Sequence, residues 1–266
     1  MSALTLGSTI CNLAIEGPDL PLVEFQSVYR ARNRPVVIRN ATQHSSSTFR
    51  LETTVDALRH SVGDALVTLS SANAYSYGRK QIRVADYFER ALGPAAERAW
   101  ADAATSDEAE AEMLASEMYY WFGEHGDEIA SLLERYPLPR FASRTATVTA
   151  QIAGISAAVD ADIGRQPALS FGVGPHGSGV PFHFHNDGFS EVLHGSKRWF
   201  LYPSRPPYFS ENATSVRWLY RDYPKLRRHQ QPYECVIHPG DLLYFPNGWY
   251  HAIVNLGETV FMSTFL

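Results

Sequence analysis

The sequence predicts an α+β protein, in which a helical and extended amino-terminal portion, residues 1–167, packs on a small antiparallel β-barrel formed by residues 168–266. Two observations predict it. From Ala168 onward the chain is a series of short apolar or alternating runs, ALSFGVG, VPFHFHND, FSEVLHG, KRWFLYP, ECVIHPGDLLYFP, HAIVNL and TVFMSTFL, each bounded by Gly, Pro or Asn. Many short strands at that spacing are the pattern of an all-β barrel or sandwich. Upstream, by contrast, helical and extended patterns alternate. The chain has 266 residues, 45% hydrophobic and 12% aromatic, enough to bury a sizeable core.

The elements follow in order. LVEFQSVYRARN, from Leu22, has apolar residues at helical spacing, and RPVVIRNAT then reads as a buried strand led in by Pro35. TVDALRHSVGD is a short helix ended by Gly63, followed by the strand ALVTLSSA and the helix VADYFERAL. The Ala- and Glu-rich run from Ala95 to Tyr120 carries acidic residues between Asp107 and Glu112 that read as a solvated helical face. Residues 142–167 are Ala/Thr-rich without a persistent period and are expected to form an irregular insertion. Within the barrel region, TSVRWLYRDYP interrupts the strands with a helical pattern.

Composition excludes some functions. A net charge of −5 leaves no broad cationic surface for a phosphate backbone, and the strongest basic cluster, Lys225, Arg227, Arg228 and His229, is a short loop-like run, so no nucleic-acid partner is expected. No stretch has the apolar length to cross a bilayer, and MSALTLGSTICNL has neither a basic region nor a continuous apolar core, so no export signal is expected in this sequence. Asn40 and Asn212 each begin a glycosylation sequon, usable only if the chain enters the secretory pathway. Cys11 and Cys235 are too few for a disulfide scaffold; they are either two buried thiols or one bridge.

The chemistry is concentrated in VPFHFHND, from Val180. Residues two apart on a strand share a face, so His183 and His185 point one way while Phe182 and Phe184 pack on the other. Two imidazoles on one barrel wall can hold a metal if a distant strand supplies a third, and His251, after the turn PNGWY, is placed to do so. Three neutral imidazoles suit Fe(II), Mn(II), Ni(II) or Zn(II), and an open coordination position would admit substrate or dioxygen. A lone histidine on a half-buried strand is usually only a hydrogen-bonded polar residue; a same-face pair with a third beside a Trp-containing turn argues for more. His44, His60 and His229 read as surface or loop residues, and His176 and His194 as flanking residues, either partners of the metal-binding imidazoles or structural.

VPFHFHNDGFSEVLHGSKRWFLYP followed by GDLLYFPNGWYHAIVNL resembles the signature of the JmjC family of cupins: a His-x-acid pair, a Gly-x-Lys-Arg-Trp strand and a Gly-Asp-x-Leu turn leading to Trp-x-His. RPVVIRNAT, SSANAYSYG, VADYFERAL and MYYWFGEH are similar to the elements that precede such barrels, so the likeness covers nearly the whole chain outside the insertion. The resemblance implies a double-stranded β-helix, a jelly-roll barrel holding Fe(II) and 2-oxoglutarate, used by active members to hydroxylate or demethylate proteins. It implies that His183 and His251 are metal ligands, that Lys197 anchors the distal carboxylate of 2-oxoglutarate, and that Tyr120 contacts the same carboxylate. A cation there is chemically reasonable, because a dicarboxylate inside a barrel needs positive charge to offset its desolvation; the alternative for Lys197 is a surface lysine with its head in water.

The departures matter as much. His185 stands where active JmjC oxygenases carry Asp or Glu, and Val180 where some place a threonine hydroxyl against 2-oxoglutarate. Two carboxylates are candidates to compensate: Asp187, of the same strand parity as the histidines, and Glu191, as in His-x-His…Glu cupins. Asp187-Gly188 is also a good turn dipeptide, and Glu191 is equally readable as facing solvent. Two functions therefore stand: a metal-dependent oxygenase acting on a protein, or a JmjC-fold protein without turnover that binds a protein partner. The resemblance also implies the lumen of the endoplasmic reticulum, and a glycoprotein; the cytoplasm is the alternative that the start of the sequence suggests.

Overall fold

The computed structural model describes residues 10–72, 78–93, 95–96, 98–99, 102, 116–123, 127–143, 166–210 and 213–266. The acidic run 107–112, residues 144–165 of the expected insertion, and Asn212 with its sequon's first position lie outside these residues.

Eleven strands form one sheet: β1 (Ala14–Glu16), β2 (Val36–Ile38), β3 (Leu66–Ser71), β4 (Arg79–Arg83), β5 (Tyr119–Phe122), β6 (Ala168–Gly174), β7 (Gly179–His183), β8 (Gly188–Tyr202), β9 (Tyr233–Ile237), β10 (Leu242–Phe245) and β11 (Tyr250–Phe265). The spine is the antiparallel pair of long strands, β8 and β11, in register from Tyr250 opposite Tyr202 to Phe265 opposite Gly188. Each half of the spine has different neighbours. The carboxy-terminal half of β8 pairs with β9 and the amino-terminal half of β11 with β7; the remaining halves pair with β10 and β6. Two four-stranded walls, β9-β8-β11-β7 and β10-β8-β11-β6, thus share one spine, which is the jelly-roll arrangement expected of the barrel. The spine changes wall at an irregularity between Leu256 and Val260. Opposite it lies Gly195 at φ 76°, where a Cβ would come within 2.2 Å of the Glu258 carbonyl oxygen, so only glycine lets the strands bend there.

The amino-terminal portion extends this sheet on both sides. β2 and β1 continue it beyond β10, and β5, β3 and β4 continue it beyond β6. Where the sequence predicts strands at RPVVIRNAT and ALVTLSSA, β2 and β3 occur; β1 and the exposed, charged β4 carry too little apolar alternation to be read in advance. The helices cover the outside. Val55–Val62 is capped by Thr54, whose hydroxyl oxygen accepts from the Ala57 amide at 3.1 Å, and ends at Gly63 as expected. With Val84–Ala91 it buries Leu58, Val84, Tyr87 and Phe88 against Trp121, Phe171 and Met262. The helical pattern from Leu22 is a short α-turn, Leu22–Glu24, opening into a wider π-turn over Phe25–Arg30, which sets Phe25, Gln26 and Tyr29 inward together. TSVRWLYRDYP does the same, with Ser215–Arg217 followed by the π-turn Trp218–Asp222.

Strand alternation sorts β8 into two faces. Trp199 and Leu201 lie in the barrel interior with Val192, Leu243, Phe245 and Ile253. Phe200 and Tyr202 face the other way and pack with Phe182 and Val254 under Val216, Trp218, Leu219 and Leu226. The two cysteines are one bridge: Cys11 is joined to Cys235 on β9, across 224 residues of sequence. The bridge is flanked by backbone hydrogen bonds from the Asn12 amide to the Glu234 carbonyl at 2.9 Å and from Val236 to Ile10 at 3.2 Å.

Candidate metal and cosubstrate site

His183 is the last residue of β7 and stands directly across from His251 on β11. His185 lies two residues beyond the strand end, its carbonyl held by the Gly248 amide at 3.0 Å, so the turn before His251 also fixes the segment carrying His185. The ring centroids are 4.3 Å apart for His183 and His251, 4.7 Å for His185 and His251 and 5.3 Å for His183 and His185. One nitrogen from each lies within 4.8 Å of the others, close enough to share one ion. The three histidines singled out in the sequence are therefore together.

Their second nitrogens settle how they present themselves. Nδ1 of His183 is 2.8 Å from the Pro181 carbonyl, Nδ1 of His185 2.7 Å from that of Asn186, and Nδ1 of His251 3.0 Å from that of Trp249. A carbonyl only accepts, so each Nδ1 carries the proton and each Nε2 holds a free lone pair, as a metal ligand requires. Nε2 of His185 and of His251 are 3.2 Å apart. Burial, opposed by the Pro181 carbonyl, lowers the His183 pKa to about 4. Burial also lowers that of His185, and burial with the neighbouring His183 and His185 holds His251 well below the ordinary value. All three are neutral at pH 7. Phe245 stacks on His251 at 5.4 Å, and Phe265 meets His185 edge-on at 5.1 Å, walling the cluster with apolar surface.

The histidines line a cavity of about 120 Å³ that also contains Tyr120, Val180, Lys197, Trp199, Asn255 and Phe261. Lys197 is only 3% exposed, which removes the reading of it as a surface lysine. Its ammonium nitrogen lies over the Phe261 ring, 3.0 Å from the centroid, and among the described residues no carboxylate pairs with it. Burial alone drives its pKa well below the usual value. Tyr120 reaches the cavity from β5, stacked on Phe122 at 5.7 Å. Three neutral imidazoles with unprotonated Nε2 and one buried amine that no carboxylate among the described residues pairs with fit a divalent ion together with an anionic ligand.

The two carboxylates do not join the cluster. β7 ends at His183, so strand parity does not carry on to Asp187, whose Oδ2 pairs with Arg30 Nε at 3.0 Å and accepts from the Tyr244 hydroxyl at 3.0 Å. Glu191 faces neither solvent nor the metal site; it is fully buried, accepts from the Tyr136 hydroxyl at 2.6 Å, and has Arg50 at 4.0 Å. Burial raises its pKa. His176 accepts from the Gly257 amide at 2.8 Å, and His194 lies 2.8 Å from the Arg50 carbonyl, so these bonds are to backbone groups of the fold and not to the three imidazoles. Asn255, Trp199 and Phe261 were not singled out in the sequence. Asn255 had a usable signal, since 251, 253 and 255 share strand parity and all three line the cavity.

A barrel of two walls on one shared spine, with a histidine cluster inside its mouth, defines the cupin class, and the chain belongs to the Cupin-like domain family, whose model matches residues 22–265. Within it the chain is of the JmjC type: it is 39% identical to JmjC domain-containing protein 8 of Homo sapiens over 250 residues, 93% of this chain and 81% of that protein. Shorter matches are to the 2-oxoglutarate and iron-dependent oxygenase JMJD4 of Mus musculus, 31% identical over 102 residues, 33% of this chain and 23% of that protein. The bifunctional arginine demethylase and lysyl-hydroxylase psr-1 of Caenorhabditis briggsae is 30% identical over 114 residues, 36% of this chain and 29% of that protein.

Proposed function

We propose that this protein is an Fe(II)- and 2-oxoglutarate-dependent oxygenase of the protein hydroxylase type, with His183, His185 and His251 as the metal ligands. The observation that carries the reading is Lys197, a buried amine that no carboxylate among the described residues pairs with, in the cavity that the three neutral imidazoles line. A relative named as a 2-oxoglutarate and iron-dependent oxygenase and another named as an arginine demethylase and lysyl-hydroxylase support it. When bound, Fe(II) and 2-oxoglutarate would let dioxygen place one of its oxygen atoms on a C–H bond of a protein side chain, the other going into succinate as 2-oxoglutarate loses carbon dioxide. The chain's own work is positioning. Three backbone carbonyls hold the imidazoles in the ligating tautomer, Lys197 would take the far carboxylate of the cosubstrate with Tyr120 of the same cavity lining, and Phe245 and Phe265 give the cluster an apolar wall.

His185 in place of an acidic ligand favours a second reading, a binding protein of the same fold whose metal is a staple. Anaerobic titration with Fe(II) and 2-oxoglutarate separates the two. The oxygenase gives a metal-to-ligand charge-transfer band and releases succinate on admitting air; absence of both leaves the binding protein. His185→Asp should strengthen iron-dependent turnover, and an unchanged metal stoichiometry and turnover in that variant would count against His185 as a ligand.

The compartment we infer is the lumen of the endoplasmic reticulum. The Cys11–Cys235 bridge supports an oxidising environment, and Asn40, at φ 57° in a turn, is exposed, although Thr42 of its sequon is buried in the folded chain. Endoglycosidase sensitivity of the protein expressed in secretory cells tests this; an unchanged mobility would remove the glycoprotein reading.

A further inference from the structure

Among the described residues, the cavity lining holds an amine with no carboxylate partner and a buried amide oxygen with no hydrogen-bond donor. Lys197 and Asn255 are direct cross-strand partners on β8 and β11, and both line the cavity. Residues so paired carry Cβ atoms about 5 Å apart. The amide of Asn255 is locked in one orientation. The Ser178 hydroxyl lies 2.6 Å from the Pro175 carbonyl oxygen, a contact between two oxygens that only the serine proton can bridge. Toward Asn255 that hydroxyl can therefore only accept, and it does so from Nδ2 at 2.9 Å. Gly174 makes this possible, because a Cβ there would stand 2.6 Å from Ser178 Oγ and 2.7 Å from Asn255 Nδ2. Oδ1 is thereby turned away from Ser178, buried, and without a hydrogen-bond partner among the described residues. A buried carbonyl left so is unfavourable until a donor reaches it.

We propose that Asn255 is the positioning residue for the cosubstrate anchor: its Oδ1 receives the Lys197 ammonium when an anionic ligand draws that group off the Phe261 ring. This rests on the reading of Lys197 as the anchor for a dicarboxylate. The amide supplies a second hydrogen-bond partner that carries no charge, so the whole of the lysine's charge is left for the ligand. A carboxylate at the same place would consume it.

Asn255→Asp tests this with almost no change of shape. Binding of 2-oxoglutarate to the Mn(II)-loaded protein, followed by calorimetry, should weaken at least tenfold in N255D while Mn(II) stoichiometry is unchanged. Ser178→Ala, which frees the amide to rotate, should weaken it several-fold, and serves if N255D does not fold. Equal affinity for 2-oxoglutarate in the variants and the parent overturns the proposal. If the parent itself does not bind 2-oxoglutarate, the oxygenase reading fails and this one is judged separately, on the Lys197 side chain. Followed through a pH titration, the ¹³Cε resonance of Lys197 should report a higher pKa in N255D than in the parent; an unchanged titration overturns the pairing.

Discussion

Lys197 and Arg198 are neighbours on one strand, both buried, and treated in opposite ways. Arg198, 1% exposed, points to the outer face of β8, where it is paired with Glu234 and lies over the Phe200 ring at 4.9 Å; Glu234 also accepts from the Tyr223 hydroxyl at 2.7 Å. Lys197 points inward to an aromatic ring and, among the described residues, has no carboxylate. Removing a charge from water costs several kcal/mol unless a partner offsets it. The outer face offsets that cost within the fold, whereas the inner face leaves it standing. The same division separates the carboxylates from the histidines: Asp187 and Glu191 are held by Arg30, Tyr244 and Tyr136, while the three Nε2 lone pairs are left open. Among the described residues, Arg198, Asp187 and Glu191 each meet a polar partner within the fold, whereas Lys197 and the three imidazoles converge on one cavity.

The largest effect that tests this contrast is on the outer side. Cys11→Ser opens a loop of 224 residues and should remove about 5 kcal/mol of stability on the chain-entropy account. Thermal unfolding of C11S and of the reduced parent should coincide. Next, Glu234→Leu strands Arg198 and should cost about 3 kcal/mol, seen as a fall in Tm of roughly 6–12 °C. Lys197→Met should do the reverse, leaving stability equal or higher by about 1 kcal/mol while 2-oxoglutarate binding is lost. If K197M is as unstable as E234L, the contrast between the two faces is wrong. The smallest effect is in the pH dependence. The folded pKa of Lys197 lies well below its unfolded value. Between the two, the unfolded chain binds the extra proton, so stability climbs with pH up to about 10.4. Urea unfolding at several alkaline pH values should show that climb in the parent and a flatter line in K197M. On the acid side His183 works in the same direction: its pKa of about 4 lies below the unfolded value, so apo-protein stability falls as pH drops from 6.5 to 4. His183→Gln should remove part of that fall.

What the sequence disclosed, and what it hid, follows from the range of the interactions. The barrel strands were legible because alternation is local, and so was the placing of His183 and His185 on one side with His251 to meet them. Asp187 was misplaced by carrying the same local rule past the end of β7, and the residue that claims it, Arg30, comes from a π-turn 157 positions earlier. Glu191 likewise meets Tyr136 and Arg50, which no periodicity connects to it. Cys11 and Cys235 could not be matched in advance, because the pairing depends on residues 10–12 lying beside β9. The orientation of Asn255 depends on a serine 77 positions away and was equally out of reach.

The bridge also governs the order of events as the chain is made. Its second half lies at residue 235, so it cannot close until β8 and β9 have been synthesised, and the segment carrying Cys11 must be kept reduced until then. Within these 266 residues there is no third cysteine to intercept it. Oxidation of this chain is therefore a single closing step without intramolecular isomers to sort, and a persistent free Cys11 thiol would report a barrel whose outer strand has not yet docked.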